Sequence, residues 1–333
     1  MASPMVTAAM TTYNAEATVI RALASALNQD WPALEILVVD DASTDGTVAL
    51  IESFIREHAT EARPIRLLRQ AFNGGVARAR NRLVEEARGE FIAFFDDDDI
   101  SAPDRVSRQY ARIAETEAAL GHDLVLCHTA RLQEFPDGHL HYEATMGCEH
   151  EVVPFGSAVA DRILLGRLSA GVIGSCATCS QMGRKSVYRR LGGFDPALPR
   201  SEDTDLNIRC AYQGGAFAGL AAPLVRQTMT PGSEKNLAAE LEAYAALQTK
   251  HRDYLSRQGW LEFCLEWQQV RRLHLSRAIG PVLVRAAILA ITHPIKLIRK
   301  IYWSLPAHRT RRQYRGWQHA FVLSSPARPS KSR

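Results

Sequence analysis

No G-x-G-x-x-G turn follows a strand-like run anywhere in this sequence, which excludes a dinucleotide-binding dehydrogenase. No glycine-rich phosphate loop opens the chain either, since Met5–Asn14 holds no glycine. A basic N-terminal segment followed by a long apolar run is absent, so no signal peptide is expected. There are only six cysteines, scattered at 127, 148, 176, 179, 210 and 264 and mostly in apolar surroundings. They read as free thiols in a reducing cytosol, not as a disulfide framework. Cys176-Ala177-Thr178-Cys179 has redox or zinc spacing, but no second pair follows at zinc-ribbon distance. Internal repeats and Gly/Ser-rich linkers are missing as well. Acidic residues are wholly absent from 271–333, which holds 14 Lys and Arg. That leaves 26 basic against 36 acidic residues in 1–270, a net of −10 beneath the overall +4. A basic tail on an acidic body points to an anionic partner for the tail.

The most informative stretch present is Phe91-Ile92-Ala93-Phe94-Phe95-Asp96-Asp97-Asp98-Asp99, an apolar run of strand length ending in four carboxylates. Packing does not need that ending. Four adjacent like charges must stay solvated or find a cation, and a hard divalent metal with oxygen ligands is the natural partner. Upstream, strand-like runs at Met5–Met10, Glu35–Val39 and Ile65–Leu68 alternate with helical spacing over Glu16–Leu27, to about His58, and over Val76–Ala87. A fifth strand is expected at Asp123–Thr129, and Asp137-Gly138 reads as a hairpin turn. Such alternation predicts an α/β fold, a mainly parallel sheet with helices on both faces, whose ligands bind beyond the C-terminal strand ends. Three polar clusters fall there: Thr11–Asn14, Asp40-Asp41 and Asp96–Asp99.

These clusters stand in order with four further pieces: Asp40-Asp41-Ala42-Ser43-Thr44-Asp45-Gly46-Thr47, Asn73-Gly74-Gly75 through Ala79-Arg80-Asn81, Pro103-Asp104-Arg105, and Gly192-Gly193-Phe194-Asp195 with Glu202-Asp203. Over about residues 5–230 the chain resembles the family-2 glycosyltransferases of GT-A fold. The resemblance implies a metal-dependent, inverting transfer of a sugar from a nucleotide-diphosphate donor to an acceptor hydroxyl. It implies that Asp41 accepts the base N–H and Tyr13 lies against the base ring, with Thr11 and Asp40 as nucleotide neighbours. Arg80 would reach the diphosphate; Arg78 is an equal candidate from sequence. Asp98 is assigned direct contact with Mg²⁺ or Mn²⁺, and Asp96 and Asp97 ribose or metal-water contacts, although four aspartates allow more than one register. Asp203 would be the general base, and Asp205 a capping or structural residue. Two departures stand out. The Gln-x-x-Arg-Trp motif of processive synthases is missing, so a single sugar addition is expected. The histidine that often follows the last strand is also missing, which leaves Arg226 as a candidate phosphate contact.

The expected organisation is a catalytic domain over 1–230, with a nucleotide half to about 130 and an acceptor half over 131–230. A helical region over 231–323 and a disordered tail over 324–333 follow. Residues 277–301 read as one amphipathic helix bent at Pro294. On a helical wheel Arg277, Arg285, Lys296, Arg299 and Lys300 fall on one side, and Ile279, Leu283, Ile291, Leu297, Ile298 and Ile301 on the other. Its longest uncharged run, Ala286–Ile295, is half of the roughly 20 residues that a span requires. It is therefore expected to lie on an anionic membrane surface, making the protein cytoplasmic and peripheral on the inner face of the cell membrane. The acceptor would be lipid-linked or a glycan in cell-surface polysaccharide or glycolipid biosynthesis. Nucleic acid is not expected, because the tail carries no recognised binding module. The competing readings are a nucleotidyltransferase of similar fold and a non-catalytic, membrane-associated nucleotide-binding scaffold.

Overall fold

Strands β1 (Val6–Thr12), β2 (Leu34–Asp40), β3 (Ile65–Arg69) and β4 (Phe91–Asp96) lie side by side in the order β3-β2-β1-β4, all parallel. Their side chains alternate between two cores, as a strand's period of two requires. Val6, Ala8, Met10, Ile36, Val38, Phe91, Ala93 and Phe95 enter one. Ala9, Leu37, Val39, Ile92 and Phe94 enter the other. Near-continuous apolar strands buried on both faces need helices on both sides. These are α1 (Val19–Leu27), α2 (Thr47–His58) and α3 (Val76–Glu86). The computed structural model describes residues 3–149, 151–229, 237–305 and 308–322.

Beyond β4 come β5 (Ile100–Ser101), α4 (Arg105–Leu120), β6 (Val125–Glu134), β7 (Leu140–Glu143), α5 (Ser157–Leu165), β8 (Gln181–Arg184), α6 (Lys185–Arg190), α7 (Glu202–Tyr212) and β9 (Ala216–Thr228). The sheet continues β4-β8-β6-β9-β5, with β7 paired to β6. Within this mainly parallel first half and its continuation, β8 is antiparallel to both β4 and β6. The β6–β9 register slips at Thr129–Arg131, a bulge that increases local twist.

The C-terminal part comprises α8 (Leu237–Lys250), α9 (Arg252–Arg257), α10 (Leu261–Leu275), α11 (Ile279–Thr292), α12 (Pro294–Ser304) and α13 (His308–Val322). Leu247, Leu255, Phe263 and Leu289 join the core on the α3 face. Helix α13 docks on β7, where Gln318 accepts from the Tyr142 amide at 2.7 Å and donates to the Leu140 carbonyl at 3.0 Å. The single amphipathic helix expected over 277–301 is instead two helices meeting at 116°. Pro294 has no amide hydrogen to continue the ladder, so it opens α12 as its first residue. The wheel drawn through the break fails with it, because Lys300 points inward and donates to the Leu165 carbonyl at 2.6 Å. The tail expected to be disordered, 324–333, lies outside the described residues.

Candidate active site

The register of the parallel strands assembles the site. Thr11 stands opposite Val39 and Asp96, and Thr12 opposite Asp40, so the loops leaving β1, β2 and β4 emerge at one level of the sheet edge. A cleft of about 430 Å³ opens there. It is lined by Thr11, Tyr13, Asp41, Arg80, Asp96, Asp97 and Asp98, together with Thr12, Asn73 and Gly75. Seven residues expected at a nucleotide-sugar site thus share one cavity.

Local conformation is held tightly around it. Asn14 and Ala42, the residues turning out of β1 and β2, adopt left-handed φ values of 49° and 63°. Both are uncommon for residues other than glycine, and such strain persists only where the surroundings hold it. Asp45 accepts from the Glu16 and Thr47 amides, and Ser43 from the Asn14 amide. These residues tie the two loops together; helix α2 starts after Gly46 with no side-chain cap. Asp41 accepts from the Gly74 and Gly75 amides, each at 2.8 Å, and from Gln70. The Asn73-Gly74-Gly75 turn is therefore folded around a carboxylate that still faces the cleft.

The four aspartates have different fates. Asp97 turns one oxygen back to the Tyr13 amide at 3.1 Å. Asp99 is buried and accepts from the Thr228 amide at 2.9 Å, its second oxygen meeting no donor. Asp96 faces Arg80 at 3.6 Å, and Asp98 lines the cleft. Burial pushes Asp97 up to about 6 and, with Asp96 and Asp98 beside it, Asp99 up to about 8. Asp98 is raised too, by burial and by the charge of Asp96. Packed carboxylates that resist ionisation signal missing positive charge. Oxygens of Asp96 and Asp99 also lie within 4.8 Å of the Cys179 thiol. Burial raises that thiol far above its ordinary range, so it stays protonated and offers a hard cation little. The carboxylate oxygens fit Mg²⁺ or Mn²⁺ better.

Arg80 is not a free hand for phosphate. It is buried between Asp96 and Glu202, bonded to Glu202, with its guanidinium 5.5 Å from the Phe194 ring. Burial opposes its charge, yet Asp96, Glu202 and Asp203 together hold it above the usual arginine range. Asn81 fixes the next layer: its amide donates to the Phe194 carbonyl and its oxygen accepts from the Phe194 amide, both at 2.7 Å. This explains why the Ala79-Arg80-Asn81 and Gly193-Phe194 pieces occur together. Asp203, on the first turn of α7, lines a neighbouring cleft of about 450 Å³ with Met146, Arg162, Ser175, Cys176, Asn207 and Tyr244. The two clefts are separate cavities; Arg80, which lines the first, is bonded to Glu202, the residue before Asp203.

Three expected site residues fall elsewhere. Asp40 is fully buried and accepts from the Ser43 amide, so it shapes the loop without reaching the cleft. Arg78 is exposed and stacks on Phe72 at 6.0 Å. Arg226 faces Glu134 on the neighbouring strand at 3.1 Å. Asp205 is structural, meeting Arg209, Lys250 and His251. Sequence reading missed Arg21, which donates to the Asp98 carbonyl at 2.8 Å and to Thr228 at 2.9 Å, clamping the aspartate loop. It also missed Arg105, fully buried over Phe95 and donating to the Phe94 carbonyl at 2.7 Å. Only the Pro103-Asp104-Arg105 piece hinted at the second.

Residues 7–192, more than half the chain, match a sequence profile described as glycosyl transferase family 2. The chain belongs to glycosyltransferase family 2. A relative in Haemophilus influenzae, described as an uncharacterized glycosyltransferase, is 31% identical over 122 residues, covering 37% of this chain and 47% of that protein. The UDP-Glc:alpha-D-GlcNAc-diphosphoundecaprenol beta-1,3-glucosyltransferase WfgD of Escherichia coli is 37% identical over 105 residues, 32% of this chain and 39% of WfgD. This glycosyltransferase therefore matches less than half the length of either relative. Among solved structures, Staphylococcus aureus TarS 1–349 in complex with UDP-GlcNAc superposes with a TM-score of 0.55 at 17% identity, over 95% of this chain and 92% of that one. That likeness concerns the GT-A fold.

Proposed function

We propose that this family-2 glycosyltransferase is a metal-dependent, inverting enzyme that adds one sugar from a nucleotide-diphosphate donor to a hydroxyl acceptor in cell-surface glycan assembly. The observation that carries this reading is the single cleft formed by Thr11, Tyr13, Asp41 and Asp96–Asp98 at the aligned ends of β1, β2 and β4. Tyr13, half exposed beside the Asp41 carboxylate, offers a ring face and an acceptor edge to a base. Asp96 and Asp98 line the cleft and are the aspartates we assign to ribose and cation. A bound Mg²⁺ or Mn²⁺ would offset the charge of the departing diphosphate. The chain's own part is positional. Arg80 ties the partly exposed Asp96 of the donor cleft to the buried Glu202, which precedes Asp203 on the first turn of α7. Asp203 Oδ1 accepts from the Thr204 amide at 2.6 Å, leaving Oδ2 to take the proton of an acceptor hydroxyl arriving from the second cleft. The oxygen then attacks opposite the leaving diphosphate, and one displacement inverts the anomeric carbon.

Isothermal titration with UDP, dTDP and GDP in Mn²⁺ tests the donor half. At least one nucleotide should bind, and Asp98→Asn should weaken it at least tenfold, by loss of a charge-assisted contact. If none binds, or Asp98→Asn leaves affinity unchanged, the donor cleft is misread.

A peripheral membrane position fits the second half of the molecule. No single described helix is long and apolar enough to cross a membrane. The α11–α12 pair nonetheless exposes Ile279, Leu283, Val284, Ile291, Ile295, Ile298 and Tyr302, with Ile291 at 81%. An exposed apolar surface on a basic segment suits the interface of an anionic bilayer, on the cytoplasmic face where nucleotide sugars are made.

A further inference from the structure

The turn that carries the four aspartates is held from outside itself. Between β4 and β5 its own backbone bond, from the Asp99 amide to the Asp96 carbonyl, is long at 3.4 Å. Adjacent like charges would open such a turn further. Strand β9 opposes this. Its Val225 and Arg226 pair with Ser101 and Ile100, and the Ala102 amide donates to the Leu224 carbonyl at 2.9 Å. These are backbone contacts, open to any residue that tolerates a strand.

Thr228, the last residue of β9, adds contacts that the sheet does not require. Its amide donates to Asp99 Oδ1 at 2.9 Å, and its hydroxyl donates to the Asp98 carbonyl at 2.7 Å. The same carbonyl accepts from Nη2 of Arg21, on α1, at 2.8 Å. The second hydrogen of that nitrogen goes to the Thr228 hydroxyl at 2.9 Å. The three groups close a triangle in which the hydroxyl proton and both Nη2 hydrogens are spent. Two donors on one carbonyl fix the peptide plane between Asp98 and Asp99. That plane sets ψ of Asp98, and with it the direction of its side chain relative to Asp96. Arg21 thus spends Nη2 on a peptide oxygen and a hydroxyl, although its charge is felt at the Asp98 carboxylate. Meanwhile Arg226, the candidate left by the missing histidine, is taken by Glu134.

We propose that Thr228 and Arg21 are positioning residues for the cation site, holding Asp98 and Asp99 in the binding geometry before the metal arrives. This rests on the assignment of Asp98 to Mg²⁺ or Mn²⁺. A turn ordered in advance loses less conformational freedom on binding, which raises affinity. Groups that orient metal ligands without touching the metal typically change its affinity by about 10–100-fold. The role is separable from charge. As a cation beside the site Arg21 repels the metal, whereas as a clamp it favours the metal, so its removal has opposite expected signs in the two cases.

The test is Mn²⁺ titration of the full-length protein without nucleotide, followed by the electron paramagnetic resonance signal of the free ion. Thr228→Val keeps the β-branched shape and the amide bond to Asp99 and deletes the hydroxyl. It should weaken Mn²⁺ about tenfold, and Thr228→Ser, which restores the donor, should recover most of the loss. Arg21→Met should weaken Mn²⁺ as well. Parent affinity in Thr228→Val would overturn the proposal, and so would equal or tighter binding by Arg21→Met. Asp98→Asn separates this from failure of the underlying reading. A parent that takes up no Mn²⁺, or takes it up as well as Asp98→Asn does, ends both the metal assignment and the positioning role. Mn²⁺ lost in Asp98→Asn but kept in Thr228→Val ends the positioning role alone. If Thr228→Val does not fold, Arg21→Met, whose side chain is exposed, decides the matter by its sign.

Discussion

Replacing Arg80 by methionine should be the most damaging single change that leaves every carboxylate of the two clefts in place. The guanidinium is buried, and so is Glu202, its closest partner. Removing one member of a buried ion pair strands the other as an uncompensated charge, at a cost of about 3–5 kcal/mol. Asp96, 3.6 Å away and partly exposed, can recover water and contributes less. Glu202→Gln keeps the shape and leaves Arg80 with Asp96, so it should cost only about 1–3 kcal/mol. In the double variant no charge is stranded, so its loss should fall short of the sum of the single losses by about 2 kcal/mol. Urea unfolding of the four proteins, followed by tryptophan fluorescence, supplies the cycle. Additivity within about 0.5 kcal/mol would refute the view that Arg80 and Glu202 form one buried unit linking donor and acceptor clefts.

Gly193→Ala should cost at least about 2 kcal/mol, because φ there is +72° and the added methyl would meet Asn81 Oδ1 at 2.4 Å; thermal denaturation reads it. Asp205 is held down to about 2, despite burial, by His251, Lys250 and Arg209. Its folded value lies below the unfolded one, so its contribution is complete above about pH 4 and disappears as pH falls through about 2. Over that window the parent should lose about 2 kcal/mol relative to Asp205→Asn, measured by urea unfolding across pH. Ile291→Asp and Ile298→Asp should each reduce co-sedimentation with phosphatidylglycerol vesicles, since burying a charge in the interface opposes insertion. Full-length protein that remains in the supernatant as completely as a 1–270 truncation would remove the membrane proposal.

The gathering of these residues at one cleft was legible because they follow one another along single strands. A buried strand that ends in Thr11–Asn14, Asp40-Asp41 or Asp96–Asp99 announces both its direction and where its polar end lies, and parallel pairing does the rest. Which aspartate faces the cleft was not legible, because it depends on amides far away in sequence, such as Thr228 for Asp99. The same holds for Arg80: its sequence neighbours suggest phosphate, whereas Glu202, 122 residues later, occupies it. Strand β8 was invisible because Gln181-Met182-Gly183-Arg184 has no strand pattern of its own; β4 and β6 impose its pairing from both sides. The tail misled for a related reason. A wheel assumes one straight axis, and the 116° turn at Pro294 sends Lys300 into the acceptor half while isoleucines on the other side face out.

The central claim is that Asp203 takes a proton from the acceptor beside a cleft that holds the nucleotide sugar. The most direct measurement is donor turnover by Asp203→Asn against the parent protein, over UDP-, dTDP- and GDP-sugars with Mn²⁺, alongside nucleotide affinity. Removal of a general base predicts a loss on the order of 10²–10⁴-fold with nucleotide binding unchanged. Turnover by Asp203→Asn as fast as the parent's would contradict it.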